Sequence, residues 1–237
     1  MAMPGPGQPG SAELATVGSR VPADTTARRS AVHVFGAARR LTLRDYLSTV
    51  HPLRALAADP TVDLAVVVGG ERDDAAAVAA TLVACGLGSA AFWHHPTDGP
   101  LPGAGWVLDD VVDLPAGIEV MDLRESRTPM GEVPDTSRGV VHLLDDPSHL
   151  AAAVRGARVD LDPALGYDPE LRPGVANLAR ILGGLTGRSP VAALIGLHGA
   201  SELKRAVTAA LVETLHPVQD RYRELAGDPQ TLNRLLR

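Results

Sequence analysis

The run Leu64-Ala65-Val66-Val67-Val68, closed by Gly69-Gly70, restricts this chain more than any other stretch. Successive apolar residues without alternation describe a strand buried on both faces, and such strands belong to parallel sheets covered by helices. The neighbouring stretches agree. Val32-His33-Val34-Phe35 before it and Ala90-Ala91-Phe92-Trp93 after it read as strands. Between them lie helical patterns: residues 43–57, with Leu43, Leu47, Val50 and Leu53 or Leu56 on one face, and the alanine-rich residues 73–85. Thr42, with Asp45 three positions on, is expected to cap the first of these helices.

Strand, helix, strand, helix, strand at these spacings predicts an α/β fold, a reduced Rossmann-like parallel sheet over residues 31–140. Trp106-Val107-Leu108 and Ile118-Glu119-Val120-Met121 are expected to complete the sheet, on either side of Pro- and Gly-rich or polar loops. Asp146-Pro147 starts a helix expected over residues 148–158. Apolar positions then recur at helical spacing in Leu178, Ile181, Leu182 and Leu185, in Leu203, Val207, Leu211 and Leu215, and in Leu225, Leu232, Leu235 and Leu236. Residues 141–237 therefore read as a linker helix and an α-helical bundle, with Gly183-Gly184 and Gly187 marking close helix packing. Residues 1–30, rich in Gly, Pro, Ser, Ala and Thr without periodicity, read as a disordered arm.

Composition narrows the chemistry. A single cysteine, Cys85, excludes a disulfide framework and a cysteine metal cluster. There is no membrane-length apolar run and no signal-peptide pattern, so a cytoplasmic location without membrane contact is expected. The formal net charge of -6 gives no general attraction to nucleic acid. From Pro173 onward, however, eight basic residues stand against five acidic ones, and Lys204 is the only lysine in the chain. His94-His95 beside Trp93 are strand neighbours pointing to opposite faces, which is not metal-ligand spacing. Gly69-Gly70-Glu71-Arg72-Asp73-Asp74 lies where α/β sheets bind phosphates, but it lacks a third spaced glycine and carries three acids, so it reads as a turn. Trp93, Phe35 and Tyr222 read as core.

The wording of the C-terminal third is more specific. Asp168-Pro169-Glu170, Arg172-Pro173-Gly174-Val175, Asn177-Leu178 and Leu185-Thr186-Gly187 resemble the entry to the anticodon-binding domain of bacterial tryptophanyl-tRNA synthetases, a class I family. Glu202-Leu203-Lys204, Pro217, Arg221-Tyr222 and Asp228-Pro229 continue the likeness in order. Upstream, Arg40-Leu41-Thr42-Leu43-Arg44-Asp45-Tyr46-Leu47 is similar to the family's "HIGH" signature, which opens a helix over ATP. The resemblance puts Thr42 at a position where it fits, Arg44 at the glycine on whose bare backbone adenine lies, and Asp45 at an amide position. Pro129-Met130-Gly131-Glu132-Val133 stands where the family has "KMSKS". Met130 alone is kept there, and Glu132 occupies the place of the lysine that neutralises pyrophosphate. The family's long segment with the tryptophan pocket, the dimer interface and a Gly-Asp-Gln signature has no visible counterpart after His94-His95-Pro96.

The resemblance thus implies a shortened, degenerate paralogue with no catalytic residue assigned: Thr42, Arg44, Asp45, Met130 and Glu132 are altered signature positions. No cofactor is expected, ATP included. The resemblance makes Arg180, Arg188, Lys204, Arg205, Arg221 and Arg223 candidates for tRNA contact, against the plainer reading of a solvated helix face. The implied role is a binding module for tRNA, a full-length synthetase or another protein, with the oligomeric state left open because the dimer segment is missing. Two enzymatic alternatives stay open: a reaction of a specialised pathway using a charged tRNA or amino acid, and a tryptophan–tRNA ligase with atypical ATP signatures.

Overall fold

The structure, a computed structural model, describes residues 29–37, 40–95, 116–132, 138–160, 162 and 164–236. Strands β1 (Arg29–Ala37), β2 (Val62–Gly69) and β3 (Ala91–His95) form a parallel sheet in the order β1-β2-β3. Val32 lies opposite Ala65, and Val66 opposite Phe92. Val66, Val67 and Val68 are all buried, so the central strand is covered on both faces as its unbroken apolar run requires. The expected strand at Trp106-Val107-Leu108 and the expected arm over residues 1–28 lie outside the described residues.

Thr42 caps the helix that follows β1. Its side chain accepts from the Asp45 N–H, and the Asp45 carboxylate accepts from the Thr42 N–H, a reciprocal capping box. The helix runs through α1 (Leu43–Asp45), a π-helical turn (Tyr46–Val50) and α2 (His51–Ala57). Pro52 explains the turn. The His51 N–H reaches back to the Tyr46 carbonyl, and Pro52 has no N–H to offer Leu47. The Leu47 carbonyl accepts instead from the Ile118 N–H at 3.1 Å, which fastens the segment over residues 116–132 to the helix. Helix α3 (Arg72–Leu82) continues into a second π turn (Val83–Leu87), broken by Gly86 at φ 98°.

The expectation of a strand at Ile118-Glu119-Val120-Met121 is corrected. Met121 makes a single antiparallel bridge with Pro129, held by Met130 N–H to Val120 carbonyl (3.0 Å) and Asp122 N–H to Thr128 carbonyl (2.8 Å). No further strand adds at the outer edges of this pair, for two reasons. Pro129 donates nothing, and the outward-facing N–H and carbonyl of Met121 are both taken by the side-chain amide of Asn177, at 2.9 Å each. Residues 141–143 pair instead with residues 41–43, through Leu43 N–H to Val141 carbonyl (2.8 Å) and Leu143 N–H to Leu41 carbonyl (3.0 Å).

Helix α4 (Pro147–Arg155) starts on Asp146, whose carboxylate caps Ser148 and His149. It ends earlier than expected, because past Gly156 the backbone turns away and the Arg158 N–H donates to the Leu123 carbonyl at 2.8 Å. The bundle follows as α5 (Pro173–Thr186), the short α6 (Pro190–Ala193), α7 (Ala200–Ala226) and α8 (Pro229–Leu235). Gly174 lets the start of α5 lie against the preceding loop, for a Cβ there would stand 2.1 Å from the Arg158 carbonyl oxygen. Gly183 and Gly184 are likewise at close approaches, but Gly187 is not: nothing is near it, and it ends α5 in the left-handed conformation at φ 67°. Leu203, Val207, Leu211 and Leu215 on α7 are fully buried. Of the aromatic residues assigned to the core, Phe35 packs against it, whereas Trp93 and Tyr222 stay half-buried at its margin. Beyond α8, Leu236 is buried and makes a parallel bridge to Phe92 at the outer edge of β3.

Candidate functional site

Pairing of residues 41–43 with 141–143 brings the two altered signatures together at the entry of α1. Arg44 Nη1 stands 3.0 Å from Glu132 Oε1. The two residues that the resemblance puts at the glycine and lysine positions therefore neutralise each other. Asp45 is spent on the cap, its Oδ2 accepting from the Thr42 N–H (2.7 Å) and Oγ1 (2.8 Å). Met130 is fully buried beneath the loop and anchors it, with Gly131 turning at φ 88° toward Glu132.

A polar clamp holds the chain just past the second signature. Asp145 accepts from the His142 N–H at 2.9 Å and pairs with Arg40 at 2.6 Å. Burial acts to raise its carboxyl pKa, but the bonds from His142 and Arg40 outweigh it and hold the group down at about 2. On the other side, the buried Gln219 of α7 donates from Nε2 to the carbonyls of Leu143 (3.0 Å) and Asp145 (2.8 Å). At the carboxyl ends of the strands, His94 Nε2 bonds the Gly70 carbonyl at 2.8 Å, and Glu71, Arg72, Asp73 and Asp74 are exposed. Cys85 is buried, which pushes its thiol up to about 12. Among the described residues, no group of three or more His, Cys, Asp or Glu could hold a metal ion, and no helix is long and apolar enough to cross a membrane.

The six basic residues singled out in the sequence do not converge on one surface. Arg180 bonds the Tyr167 hydroxyl at 3.0 Å and lies over its ring, and Arg188 donates to the Ala192 carbonyl. Arg221 pairs with Glu224 at 2.7 Å, and Arg223 with Asp220. Lys204 caps the end of α4, its Nζ donating to the carbonyls of Arg155 (2.9 Å) and Ala157 (2.7 Å). Along α7, Lys204 and Arg205 are roughly 25 Å from Arg221 and Arg223 at the helical rise per residue.

Three cations absent from that set do gather. Arg155 and Arg158 bracket Gly156 at the end of α4, and an Arg124 guanidinium nitrogen stands 2.7 Å from where a Gly156 Cβ would be. Lys204 sits at the negative end of the helix dipole, and Arg155 and Arg205 line the surface beside it. The nearby carboxylates pair only loosely, Glu125 with Arg158 at 3.9 Å and Glu202 with Arg205 at 3.7 Å. The arginines flanking the α4 end were the one signal in the sequence, since cations favour helix C-termini. Beside this cluster, α4 and α7 enclose an open groove of about 750 Å³, floored by Ala151, Thr208, Ala209 and Val212.

No family model matches the chain. Among curated proteins, the tryptophan–tRNA ligase 1 of Streptomyces coelicolor is 39% identical over 135 residues, which are 57% of this chain and 40% of that protein. The tryptophan–tRNA ligase of Mycobacterium leprae is 32% identical over 126 residues, 52% of this chain and 36% of that one. The matched region thus spans about two fifths of the ligases' length. Among solved structures, tryptophanyl-tRNA synthetase from Mycoplasma pneumoniae superposes with a TM-score of 0.70 at 15% identity, covering 88% of this chain and 91% of that one. Over about half its length the chain is therefore a homologue of the class I tryptophan–tRNA ligases, and it has their architecture of a parallel sheet followed by a helical region.

Proposed function

We propose that this is a tryptophanyl-tRNA synthetase-like protein that does not form tryptophanyl-adenylate and acts as a tRNA- or protein-binding module. The observation that carries the reading is the Arg44–Glu132 ion pair. Adenine needs bare backbone where Arg44 stands, and pyrophosphate needs a cation where Glu132 stands. Removing one preorganised donor or charge from such a site costs about 3–4 kcal/mol of transition-state stabilisation, and here a charge is reversed. Asp45 adds a second carboxylate at the same helix start, unfavourable in sign toward a polyphosphate.

The tRNA arm of the reading rests on the homology and on the cations around the end of α4. The experiment for the catalytic half is tryptophan-dependent exchange of pyrophosphate into ATP by the purified protein. Exchange at the no-enzyme background is expected, and turnover above it overturns the reading. For the binding half, an electrophoretic shift with tRNA at two salt concentrations is expected to weaken with salt. An Arg155→Glu/Arg158→Glu variant should weaken it further. A shift insensitive to both removes the tRNA arm.

A further inference from the structure

Helix α7 has two stripes. Leu203, Val207, Leu211 and Leu215 face the core, while Ser201, Arg205, Thr208 and Val212 recur at the same helical spacing along the wall of the α4–α7 groove. We infer that this groove takes an amphipathic helix of a protein partner, with the partner's apolar stripe on the groove floor and its flanking carboxylates on the rim. The inference rests on the binding-module reading and chooses between its two kinds of partner.

Three features select this occupant. The floor residues Ala151, Thr208, Ala209 and Val212 are short, so the ridge of a visiting helix can settle between α4 and α7 as side-chain ridges do in helix packing. The stripe from Ser201 to Val212 extends for roughly 16 Å at the helical rise, about three turns of a docked helix. The rim is cationic at one end, with Arg155, Lys204 and Arg205, and carries Glu213 at the other. Charge complementarity therefore calls for carboxylates near the Arg155 end. RNA would lack a stacking platform, because no aromatic residue lines the groove.

The test uses the full chain and a fluorescent synthetic helix of roughly 16 residues, with leucines at i, i+3, i+4, i+7 and i+11 and glutamates on both flanks. A second helix with lysines in place of the glutamates is the control. Anisotropy is expected to report saturable binding of the acidic helix, at least about tenfold tighter than the lysine version. Ala209→Arg, at an exposed position where the fold is not at stake, should abolish binding by filling the floor. Arg155→Glu/Arg205→Glu should weaken it about tenfold. Equal binding of the two helices, no saturable binding, or binding unchanged by Ala209→Arg overturns the inference. Unlabelled tRNA is titrated in the same assay. If tRNA binds but no acidic helix does, the protein-helix inference falls while the binding module stands. If neither binds, both fall.

Discussion

Arg44 and Glu132 are 88 positions apart in the chain, and by the resemblance each departs from its signature residue. Their contact is partly exposed, so it stabilises the fold by no more than about 1 kcal/mol. On the proposed reading, Glu132→Lys restores one signature charge but leaves Arg44 at the glycine position. This variant is expected to stay at background in pyrophosphate exchange and to lose less than about 1 kcal/mol in urea denaturation. Other words of the family motif prove structural. Arg172 ties the loop before α5 through Asp160, at 3.0 Å from Nε, and Asn177 holds both polar groups of Met121. Asn177→Leu strands a half-buried N–H and carbonyl, and should cost about 1–3 kcal/mol by urea denaturation. Asp145 sets a pH dependence. Its carboxyl is held at about 2, below its ordinary 3.8, so the stability it gives is complete above the ordinary value and drains away as pH falls from about 4 to about 2. Acid unfolding followed by circular dichroism should flatten over that window in Asp145→Asn.

At the scale of elements, the glycines at the two ends of α5 separate close packing from chain reversal. Gly174→Ala forces a methyl group onto the Arg158 carbonyl oxygen and should destabilise by about 2–3 kcal/mol. Gly187→Ala meets open space but sits at φ 67°, which limits its cost to about 1 kcal/mol, and thermal denaturation of the two variants checks the order. The strands and the helix after Thr42 were legible in the sequence because a buried parallel strand and an amphipathic helix each write their own period. Ile118-Glu119-Val120-Met121 has the composition of a strand yet forms none. What decides its conformation is the proline at 129 and the amide of Asn177, 56 positions beyond Met121, and no local pattern encodes either. The π turn at Tyr46–Val50 follows from Pro52, but its consequence, the bond from Ile118 to Leu47, needs the folded chain.

Across the whole molecule the charges carry the same lesson. Lys204 stood out as the only lysine and as a family word, and it serves as the cap of α4. Arg124 joins Arg155 and Arg158 only in the folded chain, because it comes from a separate segment that meets them at the end of that helix. The altered signatures could be recognised by residue type, whereas their mutual neutralisation could not. The bundle is also bolted to the signature region, by Gln219 at Leu143 and Asp145 and by Asn177 at Met121, so Gln219→Ala should loosen residues 141–145. Faster amide hydrogen exchange there, with little change in β2, is the expected readout. The bridge between Leu236 and Phe92 has a consequence in time rather than in energy. A ribosome finishes β3 well before it reaches residue 236, at roughly 5–20 residues per second, so Phe92 waits many seconds for this bridge partner. Until then Phe92 lacks that partner, and whatever protects a nascent chain from pairing with its neighbours must act at that position of the edge.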